Sequence, residues 1–270
     1  MNVSTRSLEL EREPPNSLTW ESFERREATR RSLFSTVWSE LVPKVFRDVP
    51  RYYREGNIVA SFGIWEIWVW QFVRTIELRP QYRVLDVCAG TNDVGVRVLR
   101  KEPGIFVTAI DRSKEMQEEG QRRARATGVV ISSVIGDVHA LDFPDGSFDV
   151  ITLQAASRHL QLDKVLPEIL RVLKPGGFFY HCDMLKPANP VVEWFYLRFL
   201  RGSVFMTSLL FASTDASRRC VGYFADAIRH FYTPDELSGV LRLVGFTNVS
   251  CKTSFWAGMV GFHAAQKTPA

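Results

Sequence analysis

The stretch Val84-Leu85-Asp86-Val87-Cys88-Ala89-Gly90-Thr91-Asn92-Asp93 (VLDVCAGTND) decides how the chain is read. It begins as an apolar run interrupted by one carboxylate, the pattern of a buried strand, and ends as a tight polar turn. A strand ending in an acid, a glycine-containing turn and a helix start together make a site for a polar ligand. Backbone N–H groups come close to the ligand there, and small residues leave room for it. Where such loops usually place a second glycine, this one has Asn92. Asn is the best non-glycine residue at positive φ, because its short side chain bonds locally. The turn therefore survives at a cost of order 1 kcal/mol. The Asn92 side chain must then point either at the ligand or into the loop.

From Tyr82 onward short β-rich runs alternate with helical ones, the mark of a parallel sheet with crossover helices. Strands are expected at Arg83–Cys88, Ile105–Ile110, Val129–Ile135, Phe148–Gln154 and Gly177–Cys182, with helices at Asp93–Lys101, Lys114–Thr127 and Lys164–Leu173 between them. Pro167 is expected in the first turn of the last helix, where a missing N–H costs little. Lys174-Pro175-Gly176-Gly177 should stop that helix and turn the chain. Residues 187–222 form a mostly helical excursion. Thr233-Pro234-Asp235-Glu236 then starts another helix, with Thr233 capping, Pro234 at the first helical position and Glu236 completing a capping box. It ends near Gly245, and two strands follow at Thr247–Cys251 and Phe255–Gln266. The expected fold is α/β: a Rossmann-like, doubly wound, seven-stranded sheet with an antiparallel C-terminal strand, N-terminal helices and the excursion before the last two strands. Three parts are expected: a disordered tail at 1–17, a helical segment at 18–79 facing substrate or membrane, and a ligand-binding domain at 80–270.

The strand ends narrow the ligand. A dinucleotide site wants G-x-G-x-x-G; here the second glycine is missing, and Asp93 puts a carboxylate where the pyrophosphate should sit. S-adenosylmethionine suits the residues better. It carries no phosphate, and Asp86 with Asp93 can compensate its cationic amino group and sulfonium. The second strand ends at Asp111, 21 positions after Gly90, where an acid accepts from the ribose hydroxyls by the logic of the approximately 20-residue spacing in dinucleotide folds. The third ends in Gly136-Asp137-Val138, where an acid accepts from the adenine amino group. A lone Asp after a strand is commonly a turn former or cap; acids at three successive strand ends on one sheet edge favour a ligand. Ala89, Thr91, Arg112 and Gln154 complete the expected cofactor set.

Bulk properties set bounds. The chain has 270 residues, of which 46% are hydrophobic, enough for a sizeable core. The formal charge of +4 is spread along the chain rather than set in a stripe, which argues against a nucleic-acid partner. Arg25, Arg26, Arg30 and Arg31 alternate with Glu21, Glu24 and Glu27, the pattern of a solvated helix face. Cys88, Cys182, Cys220 and Cys251 form no C-x-x-C pair, so no zinc site is expected, and the chain does not start like a signal peptide. A reduced, cytoplasmic protein is the simplest reading. GIWEIWVWQFV (Gly63–Val73) is too short to span a membrane, and Val191–Phe211 carries Glu193, Arg198 and Arg201.

Val84-Leu85-Asp86, Gly90-Thr91, Asp111, Gly136-Asp137, Phe143 through Asp149 and Glu168 through Gly177 (EILRVLKPGG) resemble class I S-adenosylmethionine methyltransferases. More narrowly, the chain is similar to the ubiquinone/menaquinone C-methyltransferases, from about Val45 to Lys267. Tyr53, Asn57, Ser61, Phe62 and Gly63 match that branch's Tyr-Asp-x-x-Asn and Ser-Phe-Gly, with Arg54 in place of the Asp. Arg158-His159 stands where the branch has Arg-Asn. Tyr223 through Ile228, Phe231 through Leu237 and Gly258 through His263 match its C-terminal pattern. Asn92, Arg54 and His159 are the departures.

The resemblance implies methyl transfer to a ring carbon of a reduced, prenylated quinone. Arg158 would give electrostatic support or position water, since a guanidinium stays protonated. His159 is either the base or a loop histidine. Tyr53, Asn57, Phe62 and Tyr223 are the candidate substrate-binding residues, and no metal is expected. GIWEIWVWQFV and Val191–Phe211 would line an apolar channel or dip into a membrane headgroup region; the alternative for the former is a packed aromatic helix. Contact with the inner face of a membrane and a homodimer both stay open. Two other functions also stay open: a methyltransferase acting on another small aromatic, and a cofactor-binding protein with altered or lost chemistry.

Overall fold

The computed structural model describes residues 18–211, 215–254 and 259–270. The tail read at 1–17 and the beginning of the strand read from Phe255 lie outside them. Seven strands form one sheet: β1 (Arg83–Val87), β2 (Phe106–Asp111), β3 (Ser132–Ile135), β4 (Phe148–Gln154), β5 (Leu173–Met184), β6 (Phe246–Ser254) and β7 (Val260–Lys267). Their order is β3-β2-β1-β4-β5-β7-β6, and β7 runs antiparallel to both its neighbours. The fold class read from the sequence is the one observed.

β1 lies in the middle of the parallel part, Val84 pairing with Val107 on one side and Val150 on the other. Val84, Leu85 and Val87 are fully buried, as a strand covered on both faces requires. The chain lays β2 and β3 outward on one side of β1, then returns to place β4 on the other. The order thus reverses at the C-terminal ends of β1 and β4, where open α/β sheets bind ligands. One core face packs α7 (Leu162–Val172) and α10 (Pro234–Val244) on the sheet. The other packs α4 (Ile64–Thr75), α5 (Asp93–Lys101) and α6 (Lys114–Ala126). Thr233 caps α10 in the expected capping box with Glu236, and Gly245 closes it at φ 114°.

Before α4 the chain forms α1 (Trp20–Thr36), a π-helical turn (Val37–Leu41), α2 (Val42–Asp48), a 3₁₀ turn (Pro50–Tyr52) and α3 (Tyr53–Ala60). The excursion is two helices, α8 (Pro190–Leu210) and α9 (Asp215–Arg229). No helix among the described residues is long and apolar enough to cross a membrane.

Three local readings are corrected. The charged face of α1 is not solvated: Glu27 and Arg30 are both fully buried and paired at 2.6 Å. Glu27 also accepts from Tyr232 Oη at 2.7 Å and from the Leu162 N–H at 2.9 Å. Arg26 reaches Glu236 and the Phe231 carbonyl, and Arg31 reaches Gln161 and Asp163. Because Glu27 satisfies the Leu162 N–H, α7 starts two residues earlier than expected, and Pro167 falls inside the helix rather than in its first turn. Finally, α7 runs straight into β5. Leu173 pairs with Phe148 and Phe178 with Val150, so Lys174-Pro175-Gly176-Gly177 loops out within the strand. Gly176 sits at φ 77°, and a Cβ on Gly177 would lie 2.8 Å from the Asp149 carbonyl oxygen.

Candidate active site

The loop after β1 holds three residues in the left-handed region: Cys88 (φ 52°), Gly90 (φ 52°) and Asn92 (φ 58°). It is tied to the end of β2. The Gly90 N–H donates to Asp111 Oδ2 at 2.8 Å, the Ser113 N–H to Asp111 Oδ1 at 2.8 Å, and the Ala89 N–H to the Ile110 carbonyl at 3.1 Å. Each Asp111 oxygen takes one backbone donor and keeps a further lone pair for a ligand. Burial pushes the Asp111 carboxyl above the usual range against these bonds and the Arg112 charge.

Asn92 is fully buried and turns toward α6, away from the loop's open side. Gln117 Nε2 donates to its Oδ1 and to the Gly90 carbonyl, each at 3.0 Å. Asn92 Nδ2 has no hydrogen-bond partner. Room for this side chain comes from Gly120 on α6, where a Cβ would lie 2.7 Å from Asn92 Cγ.

The remaining acids divide. Asp137 stands beside Asp111, since Asp111 pairs with Ile135 and the Gly136 N–H donates to the Asp111 carbonyl at 3.1 Å. It is exposed, and its Oδ1 takes the His139 N–H at 3.0 Å. Partial burial acts to raise its pKa, but the His139 bonds and the His139 and Arg112 charges bring it below the ordinary carboxylate value. Asp86 is buried beneath the loop: Thr152 donates to Oδ1 at 2.7 Å, Oδ2 has no partner, and burial pushes the group up to about 7. Asp93, read as a partner for the cofactor's charge, is instead neutralised by Arg97 at 3.3 Å and Arg123 at 3.2 Å. Arg123 also donates to Thr91 Oγ1 at 2.9 Å. Arg112 is exposed, the Val138 side chain packs in the core, and Gln154 is half-buried at the end of β4.

A cavity of about 640 Å³ lies between the N-terminal helices and α8. Its wall is mostly apolar, with Ile64, Trp65 and Trp68 of α4 facing Phe195, Phe199 and Leu200 of α8. GIWEIWVWQFV therefore serves both readings. Its Val69, Phe72 and Val73 pack in the core, while Ile67 and Trp70 are exposed.

Arg158 is the only charged residue on the cavity wall among the described residues. It sits on a 3₁₀ turn (Ser157–His159) after β4, where its Nη1 pairs with Asp183 Oδ1 and donates to the Ala155 carbonyl at 3.1 Å. The turn is braced from three sides. The Arg158 N–H reaches Asp183 Oδ2 at 3.3 Å, Ser157 Oγ donates to the same oxygen at 2.6 Å, and Arg30 Nη2 donates to the Arg158 carbonyl at 2.9 Å. Behind Ser157, the His181 and His263 rings meet at 3.3 Å. Tyr53 lines the cavity beside Asn57; burial pushes its phenol up to about 12, and the charges of Arg158, Asp111 and Asp183 all act on it.

Three candidates lie elsewhere than expected. His159 is not on the cavity wall: its Nδ1 meets Tyr223 Oη at 2.5 Å, and its ring packs against Tyr223 and Phe224. Burial, with the Arg158 and Arg30 charges, holds it well below 6.5, so it is neutral and a weak base. Tyr223 lies behind the wall, bonded to Trp38 Nε1 at 2.8 Å. Phe62 is 78% exposed at φ 51°, near Phe199 rather than inside. Conversely, Asp183 and Tyr196 were not singled out by the sequence, and Glu27 had the pattern of a solvated face. Asp183 carried a signal, as an acid directly after the strand expected to end at Cys182.

The sheet order, with its antiparallel β7, is that of the Rossmann-like methyltransferases. The chain superposes on a SAM dependent methyltransferase from Aquifex aeolicus (TM-score 0.51, 16% identity, 73% of this chain and 88% of that one). It also superposes on SAM-dependent methyltransferases from Methanosarcina mazei (TM-score 0.52, 20% identity, 72% and 95%). The chain belongs to the ubiE/COQ5 methyltransferase family, whose profile matches residues 35–267. It is 32% identical over 233 residues to the ubiquinone/menaquinone biosynthesis C-methyltransferase UbiE of Methylobacterium nodulans, covering 84% of this chain and 90% of the relative. It is 29% identical over 247 residues to the demethylmenaquinone methyltransferase of Symbiobacterium thermophilum, covering 84% and 93%. It is thus an S-adenosylmethionine-dependent methyltransferase by family and fold.

Proposed function

We propose that the protein methylates a ring carbon of a reduced, prenylated quinone precursor, of the demethylmenaquinol or benzoquinol kind. The observation that carries this is an apolar cavity whose wall bears one guanidinium, Arg158, close to a tyrosine that also feels Asp111. An aromatic acceptor with a greasy tail suits that cavity, and its oxygenated ring suits the polar end.

The cofactor loop fits S-adenosylmethionine. Gly90 makes the turn at φ 52°, with Met116 Cε 3.1 Å from where a Cβ would lie, Asp111 retains acceptor capacity toward ribose hydroxyls, and Asp137 is exposed beside it for the adenine amino group. Ala89, Thr91, Asn92, Arg112, Val138 and Gln154 shape or flank this edge. Asp86 lies buried beneath the loop with one carboxyl oxygen unpartnered. Bound there, S-adenosylmethionine supplies an activated methyl group on a sulfonium leaving group.

The protein's own contribution is alignment and stabilisation of charge. A ring carbon becomes nucleophilic when a neighbouring hydroxyl loses its proton. Arg158, held by Asp183, stabilises the resulting phenolate, while water takes the proton. His159 serves as a support for the Arg158 turn. The alternative of a small, tail-less phenol as acceptor uses the same residues. Labelled donor with a demethylated prenyl hydroquinone tests the reading: label in the lipid fraction supports it, and label only in a tail-less phenol replaces it.

The cavity wall carries Val191, Phe195 and Phe199, with Phe62 beside Phe199, all exposed. We read this exposed patch as a peripheral contact with the inner face of a membrane, from which a lipid-like substrate enters. Co-sedimentation with anionic vesicles, lost in Phe62→Ser/Phe195→Ser, tests it.

A further inference from the structure

Tyr196 on α8 lines the cavity, is 8% exposed, and its hydroxyl makes no hydrogen bond. Buried hydroxyls almost always have a partner. The serine and threonine hydroxyls of the helical wall do: Ser61 donates to the Asn57 carbonyl at 2.7 Å, Thr207 to the Ser203 carbonyl at 2.8 Å and Ser208 to the Phe205 carbonyl at 2.7 Å. The ring of Tyr196 packs with Leu197, Leu200, Ala225 and Ile228. A phenylalanine would fill that space without stripping a hydroxyl of water. The oxygen therefore calls for an explanation that packing does not give.

Its surroundings supply one. Tyr196 packs in one cluster with Met184, the residue after Asp183, on the cavity wall that also carries Arg158, and the charges of Arg158 and Asp183 act on its phenol. Arg158 Nε is also without a partner. Two unmet donors, an O–H and a guanidinium N–H, thus share one end of the cavity. A ligand that satisfies both brings an acceptor oxygen on an apolar framework, which is what an oxygenated aromatic ring is.

We infer that Tyr196 contacts the acceptor, donating its O–H to the ring oxygen that Arg158 also stabilises, and so fixes which ring carbon is presented to the methyl donor. This rests on the reading of the cavity as the site of an oxygenated aromatic acceptor. Burial pushes the phenol well above its ordinary value, so it stays protonated and acts as a donor. In the step itself the acceptor hydroxyl loses its proton to water, the ring carbon forms the new C–C bond, and the S–C bond breaks with its electron pair going to sulfur. The ring then loses the displaced hydrogen as a proton to water. Tyr196 neither gains nor loses a proton. Its hydrogen bond strengthens as negative charge builds on the oxygen, so it acts on kcat more than on KM.

Tyr196→Phe in the full chain is the test, with four readouts: thermal midpoint, S-adenosylmethionine affinity by calorimetry, kcat and KM with a prenylated hydroquinone, and acceptor binding by tryptophan fluorescence. Binding is compared between the hydroquinone and a prenylated arene lacking both ring oxygens. The expected result is an unchanged or raised thermal midpoint, unchanged donor affinity and a fall in kcat of about 100-fold, the size seen when one donor to a developing oxyanion is removed. The wild type's preference for the oxygenated ring should also shrink about tenfold or more. A drop in thermal midpoint with kcat unchanged would make Tyr196 structural and overturn the inference. So would unchanged kcat with unchanged discrimination. If the wild type turns over no hydroquinone, the quinol reading fails, and the binding discrimination alone then decides for or against Tyr196.

Discussion

Asn92 and Gly120 occupy one another's space: a Cβ on Gly120 would lie 2.7 Å from both Cγ and Nδ2 of Asn92. A loop position that departs from glycine is thus matched by a glycine in the middle of α6, where glycine is otherwise unfavourable by about 0.5–1 kcal/mol relative to alanine. The loop after β1 keeps its left-handed turn, and the added side chain is housed in the helix packing.

Gly120→Ala should therefore destabilise the protein, despite the better helix propensity of alanine, by about 1–3 kcal/mol from overpacking. It should also weaken S-adenosylmethionine binding by displacing the loop. In an Asn92→Gly background that cost should shrink, leaving the 3.0 Å approach to the Thr91 backbone. Urea unfolding of the four-member cycle measures the coupling; additive effects would mean that the two positions are independent.

Asp111→Ala removes the acceptor for the Gly90 and Ser113 N–H groups and the proposed ribose partner together. Donor affinity should fall by about 100-fold or more, a loss that two charge-assisted bonds of about 1.5–3 kcal/mol each amply cover. Asp137→Ala, with its exposed carboxylate, should cost about tenfold or less. Calorimetry distinguishes them, and equal small losses would move the cofactor elsewhere.

Glu27→Gln leaves Arg30 charged and fully buried, so it should cost about 3–5 kcal/mol in urea unfolding. Replacing the pair together, with Glu27→Leu and Arg30→Met, should cost at least as much, because Tyr232 Oη, the Leu162 N–H and the Arg158 carbonyl then all lose a partner. Because Arg30 also holds the Arg158 carbonyl, the single variant should lower kcat while leaving donor affinity intact.

Stability should fall as the solution is acidified below pH 6.5. His181 and His263 are held at about 3 by burial, His263 also by the neighbouring ring, so the folded chain keeps both neutral while the unfolded chain protonates them. Their contribution is complete above 6.5 and is lost between 6.5 and about 3, at up to about 1.4 kcal/mol per pH unit for each. Asp86, raised to about 7, acts in the opposite sense: it favours the folded state at low pH and that gain is lost as pH rises from its ordinary value through 7. Three buried histidines, His159 among them, outweigh the two raised acids Asp86 and Asp111, so urea midpoints at pH 5 should lie below those at pH 7. A flat profile that His263→Gln does not change would contradict this.

Much of this was legible because local pattern and global fold agree. The apolar β1, the glycine turn and acids at the ends of β2 and β3 announce a parallel sheet with a ligand edge, and that sheet is observed. What escaped depended on distant partners. Glu27 and Arg30 have the charge alternation of a solvated face, and only Tyr232, the Leu162 N–H and the Arg158 carbonyl make them internal. β5 extends to Asp183 and Met184 because β7 pairs with it there, Met184 lying opposite Val260. His159 turns from the cavity because Tyr223 and Phe224 of α9, some sixty residues later, receive its ring.

The most direct measurement is the fate of a deuterated methyl group. The protein, with trideuteromethyl-labelled S-adenosylmethionine and a demethylated prenyl hydroquinone, should yield a product carrying the label on a ring carbon, by mass spectrometry and carbon NMR. Arg158→Ala should abolish it while still binding the donor. Label on oxygen, or none in any lipid product, would contradict the account.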